Sequence, residues 1–298
     1  MRILLLLLLA SLANVGFAQD QEEYVNYKEG NDKYHQFKVG TATYLLADHV
    51  NVRSKPSSKG DVVINLPIGT AIKIVEKSDE RLRLNGFKTN WYKVSFNAQN
   101  KVTTGYVWGG LIAEGSIMSA NSKVRFLYGI ASFKTGYEAE MGAEQAQIQI
   151  RACKNKQELS RIELRNAANY LNIYHWFGNY GKRGLENIED VLELGESEGM
   201  CGGANASHII FWDGEKLVHA KSLYPGGDAP YYSSDDLIFP SDKGGAKGKI
   251  IQEEKEGWYD EEKKADVIQR HKRVEYIWTG KTLKETKVLM DEEYDVKE

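Results

Sequence analysis

The chain has 298 residues, of which 42% are hydrophobic and 27% charged. That is the balance of a globular protein long enough for two domains. Its 39 basic and 42 acidic side chains leave a formal net charge of −3, which gives no reason to expect nucleic acid or an anionic membrane as a partner.

The opening residues, "MRILLLLLLASLANVGFA", combine a positive start, a leucine run and a small-residue end. This pattern predicts a secretory signal peptide over residues 1–18, cleaved after Ala18. No later run of apolar residues is long enough to span a bilayer as a helix, so the mature protein is expected to be exported, periplasmic or secreted, without membrane insertion. Residues 19–40 are a polar lead-in with no sustained apolar period. In an oxidising compartment the two cysteines, Cys153 and Cys201, are expected to form one disulfide.

From Thr41 the chain changes to short apolar segments separated by turn residues. Val50 and Val52 alternate with Asn51 and Arg53, and Lys-Pro-Ser-Ser-Lys-Gly follows as a turn. Val62–Leu66, Ala71–Glu76, "NWYKVSF" and "GYVWGGLI" continue the pattern, with Gly69 in a turn that requires positive φ. The segment "SDERLRLNGFKT" reads as a long loop between strands. Short strands at this spacing describe a small β-barrel. Arg53 has the donor fork to fasten the loop that follows it. Trp91, Tyr92, Tyr106 and Trp108 place four aromatic rings on adjacent strands. They can pack a core or line a groove for a ligand.

These segments, in this order, resemble the bacterial SH3-like (SH3b) domain of cell-envelope proteins over about residues 41–113. The resemblance implies a small barrel that binds a cell-wall peptide or an envelope protein, with Trp91, Tyr92, Tyr106 and Trp108 as its ligand-binding groove.

Residues 121–285 read as a larger antiparallel β-rich domain, a sandwich or a meander. In "EQAQIQIRAC", Ala146, Ile148, Ile150 and Ala152 alternate with polar residues, the period of a half-buried strand. "KNKQ" turns the chain into "LSRIELR", completing a hairpin. "IFWDGEKL" (Ile210–Leu217) and "YIWTGKTL" (Tyr276–Leu283) share one plan, Trp-x-Gly-x-x-Leu, and each reads as a hairpin with a two-residue loop. "DEEKKAD" reads as a solvated turn, and residues 286–298 as a charged tail. The fold class is therefore all-β throughout.

His208 and His219 flank the first of these hairpins. With a two-residue loop at Asp213-Gly214 they would face each other across the strands. Two imidazoles can begin a metal site, but no third ligand is apparent and no metal is expected. SH3b domains often accompany wall cysteine peptidases of the NlpC type, and "SHIIFWDGEKLVHA" is similar to the histidine strand of that family. On that alternative, Cys153 or Cys201 is the nucleophile, with His208 and His219 beside it. Cys153 departs from the family pattern: Ala152 precedes it, and its surroundings alternate as a strand instead of opening a helix. No cofactor motif is present, and nothing in the sequence sets an oligomeric state. The sequence favours a non-enzymatic binding or scaffolding protein of the envelope over a peptidase.

Overall fold

A computed structural model describes residues 35–134, 145–165, 174–197 and 205–294. The residues predicted as a signal peptide, most of the lead-in and Cys201 lie outside the described residues. Among those residues the chain is almost wholly β, in four antiparallel sheets. No helix among them is long and apolar enough to cross a membrane.

The first sheet curls into the barrel. It contains β1 (Ala42–Tyr44), β2 (Val50–Arg53), β3 (Val62–Leu66), β4 (Ala71–Leu84), β5 (Phe87–Ala98) and β6 (Lys101–Trp108), in the order β1-β4-β5-β6-β2-β3. Alternation along each strand sends Val50, Val52, Ile72, Ile74 and Val94 inward, where they are buried together. Arg53 Nη1 donates to the Gly60 carbonyl at 2.7 Å, fastening the loop after β2. Gly69 adopts φ +69° in its turn.

The "SDERLRLNGFKT" segment is not a loop. Strands β4 and β5 continue through it to a tight turn at Asn85-Gly86, both residues at positive φ (56° and 84°), with Leu84 opposite Phe87. Asn-Gly is the strongest short-range hairpin signal, and the flanking charges concealed it. The resulting arm leaves the barrel and rests on the next sheet, where Phe133 N–H donates to the Asn85 carbonyl at 2.9 Å.

Three four-stranded meanders follow in chain order. The second sheet is β7 (Gly115–Met118), β8 (Arg125–Lys134), β9 (Gln145–Lys154) and β10 (Gln157–Arg165). The third is β11 (Tyr174–Asn179), β12 (Asp190–Ser197), β13 (Asn205–Trp212) and β14 (Leu217–Leu223). The fourth is β15 (Tyr231–Ile238), β16 (Ile250–Asp260), β17 (Ala265–Trp278) and β18 (Leu283–Glu293). The third sheet is sandwiched. One face packs on the second sheet through Leu192, Leu194, Ile210 and Trp212, and the other packs on the fourth through Val191, Ile209 and Phe211.

Two expectations change here. The charged tail is strand up to Glu293, because its charges meet opposite partners on β17: Lys287 lies across from Glu275, Asp291 from Lys272, Glu293 from Arg270. The two Trp-x-Gly-x-x-Leu hairpins close with four loop residues, Trp212 pairing Leu217 and Trp278 pairing Leu283. In each, the residue after Trp supplies the side-chain acceptor. Asp213 Oδ1 takes the Glu215 and Lys216 N–H groups, and Thr279 Oγ1 takes those of Lys281 and Thr282.

Candidate functional sites

The four barrel aromatics fall on two faces. Tyr92 points inward, where it is fully buried, and its hydroxyl donates to the His35 carbonyl at 2.6 Å. Trp91, Tyr106 and Trp108 point outward, but the second sheet covers that side. Trp91 and Trp108 are buried in the core that joins barrel and second sheet, and Trp108 Nε1 donates to the Leu82 carbonyl at 3.0 Å. Phe87, from the arm, stacks on Trp108 with ring centroids 5.1 Å apart. Tyr106 alone of the four stays partly exposed. It pairs with Arg53 on one side and Lys93 on the other, and the Lys93 ammonium stands 6.0 Å from its ring centroid. Among the four rings the exposed one is therefore Tyr106, with Lys93 over it, Glu76 4.0 Å from that ammonium, and Arg53 beside it on β2 with its guanidinium on the Gly60 carbonyl.

Cys153 lies on β9 as a free, buried thiol. Burial, with Glu158 adding to it, pushes the thiol up to about 11 against the opposing effect of Arg125. That is the environment of an inert thiol rather than a nucleophile. A Cβ at Gly69 would stand 2.9 Å from its Sγ, so the barrel turn is seated directly on this cysteine. With Cys201 outside the described residues, the expected disulfide has no counterpart among those that are described.

His208 and His219 do come together, by a route the hairpin arithmetic misses. The four-residue loop sets His219 opposite Ile210, and His208 opposite Ser222. Between them the register shifts at Ile209/Ile210, leaving Ala220 unpaired as a bulge. In a regular strand residues 219 and 222 face opposite ways; the bulge turns both to the His208 face. The two rings lie 5.7 Å apart, and Ser222 Oγ sits 2.7 Å from His208 Nδ1 and 3.0 Å from His219 Nε2. Behind His208, the fully buried Glu196 brings Oε1 to 3.3 Å from Nε2. His175 lies across from Glu196 on β11, its ring edge-on to Tyr128 at 6.0 Å. Burial lowers its affinity for a proton, with the Glu196 and Glu114 carboxylates opposing. Burial and the neighbouring His208 likewise lower His219.

The sequence offered no signal for Ser222, whose place depends on the bulge. Glu196 had one: it continues the buried alternation of Asp190, Leu192 and Leu194, where a carboxylate needs a partner. No group of three or more His, Cys, Asp or Glu side chains among the described residues is arranged to hold a metal ion.

Residues 48–113 match the bacterial SH3 domain family. No curated protein matches the chain.

Proposed function

We propose that this is an exported binding protein of the bacterial cell envelope, whose barrel takes up a cell-wall peptide or an envelope protein without chemical change to it. The observation that carries this reading is the match of residues 48–113 to bacterial SH3 domains, a family associated with binding cell-wall components. The leader-like residues 1–18 support export. The contact point is the exposed side of Tyr106, with the Lys93 ammonium 6.0 Å from its ring centroid and Arg53 on the neighbouring strand, and a peptide carboxylate would compete with Glu76 for Lys93. Trp91, Tyr92 and Trp108 serve as the support behind it, since binding on their faces would require opening the core.

Sedimentation with insoluble cell-wall sacculi tests the reading. The protein lacking residues 1–18 is expected to pellet with the wall, and Tyr106→Ala to weaken retention severalfold while keeping the melting temperature within a few degrees. Wild-type protein that stays in the supernatant contradicts wall binding.

A further inference from the structure

We propose that Ser222 is an activated nucleophile, the hydroxyl end of a Glu196–His208–Ser222 relay that accepts an acyl group from an ester. This goes beyond the binding role and does not depend on it.

Three features of the third sheet support this assignment. First, the buried Glu196 carboxylate stands 3.3 Å from His208 Nε2, a charge contact without hydrogen-bond geometry, and its negative potential favours the proton on that nitrogen, which leaves Nδ1 as an acceptor for the Ser222 hydroxyl 2.7 Å away. Nucleophile and base then stand in hydrogen-bond contact with a carboxylate charge behind the base, the roles that acyl transfer requires, recognised by role rather than by chain order. Second, a serine hydroxyl has one proton. Given to His208, it leaves Ser222 Oγ to accept from His219 Nε2 at 3.0 Å, so the second imidazole fixes the oxygen from the other side. Third, access differs along the relay. Glu196 and His208 are buried, Ser222 is partly exposed and His219 is exposed, with β14 at the edge of its sheet. The base is thus shielded while the nucleophile can be reached. The bulge at Ala220 is the device that brings Ser222 and His219 to one face, and bulges beside reactive groups commonly re-aim a side chain.

The step balances. Ser222 Oγ bonds to the ester carbonyl carbon as its proton passes to His208 Nδ1, and Glu196 balances the imidazolium. The carbonyl electron pair moves to oxygen and returns, the alkoxide leaves, and it takes the proton from His208. Water then attacks the acyl-Ser222 ester by the same path, giving its proton to His208. The released carboxylic acid leaves, and Ser222 recovers its hydroxyl proton.

The test is an alkyl phosphonofluoridate on the full chain at about pH 8, read by intact mass and peptide mapping. The Ser222 Oγ–P bond forms, P–F breaks, fluoride leaves, and the proton goes through His208 to solvent. One adduct on Ser222 is expected, absent in Ser222→Ala and formed about a hundredfold more slowly in His208→Gln, the lower bound for loss of a general base. Circular dichroism checks that the variants are folded. If Ser222→Ala does not fold, Ser222→Cys replaces it, and its alkylation by iodoacetamide should be faster at that residue in the folded than in the denatured chain. No adduct on folded wild type, an adduct that maps to another residue or persists undiminished in Ser222→Ala, or slower alkylation of Ser222→Cys when folded would each overturn the proposal.

Discussion

A thiol buried against a glycine turn joins the barrel to the rest of the molecule, and its chemistry follows from that position. With the Cys153 thiol pushed up to about 11, only ~10⁻⁴ of it is thiolate at neutral pH. Iodoacetamide should modify Cys153 far more slowly in the native than in the denatured protein, as read by peptide mass; equal rates would place the thiol at the surface. Gly69 is constrained twice, by φ +69° and by the 2.9 Å that a Cβ would leave to Cys153 Sγ. Gly69→Ala should cost about 1–3 kcal/mol in denaturant unfolding. Cys153→Ala in that background should restore part of the loss, because it removes the clash but not the positive φ. Trp108 offers the contrast between packing and binding. Truncating it to Ala should cost about 3–5 kcal/mol, the range for a buried aromatic.

At the level of elements, what could be read from the sequence depended on whether the signal was periodic. The β9–β10 hairpin was legible because Ala146, Ile148, Ile150 and Ala152 alternate without interruption on the buried side. The two Trp-x-Gly-x-x-Leu hairpins were legible as hairpins, and Gly214 and Gly280 take the positive φ foreseen for them, but the loop length was not. Loop length is set by Asp213 and Thr279 folding back on their own backbone, a side-chain choice that apolar periodicity does not report. An error of two loop residues displaced the register of β14, and the bulge at Ala220 displaced it again. Ser222 is therefore not legible in the sequence, although both histidines are. The four barrel aromatics illustrate a different limit, since alternation assigns a ring to a face but does not say what covers that face. Asp213→Ala removes two acceptor contacts and should destabilise the protein by about 1–2 kcal/mol in equilibrium unfolding.

Across the whole molecule, one cluster ties the barrel to the second and third sheets and a second ties the third sheet to the fourth, so the parts are expected to unfold together. Phe87, Trp91 and Trp108 from the barrel are buried in the same cluster as Phe126 and Ile148 from the second sheet. Glu114, just past the barrel, adds a pH-dependent tie by pairing with the buried His35 at 3.0 Å. Burial works to raise the Glu114 carboxyl, but the charge and hydrogen bonds of His35 outweigh it and hold the carboxyl below its ordinary 4.5. A carboxyl lowered on folding stabilises the native state above its unfolded pKa and loses that contribution as pH falls through the folded value. Calorimetry should therefore show one transition whose midpoint drops as the pH is taken below about 4.5, with a shallower drop in Glu114→Gln. On the proposed function, the barrel binds envelope peptide through the Tyr106 side while its other aromatics serve the core. Hydrogen exchange of the whole protein, with and without soluble cell-wall peptides, separates binding at this side from packing behind it. Exchange should slow in β2 and β6 around Arg53 and Tyr106, with the Trp91 and Trp108 amides already slow and unchanged; no added protection anywhere in residues 48–113 would mean that the barrel does not bind these peptides.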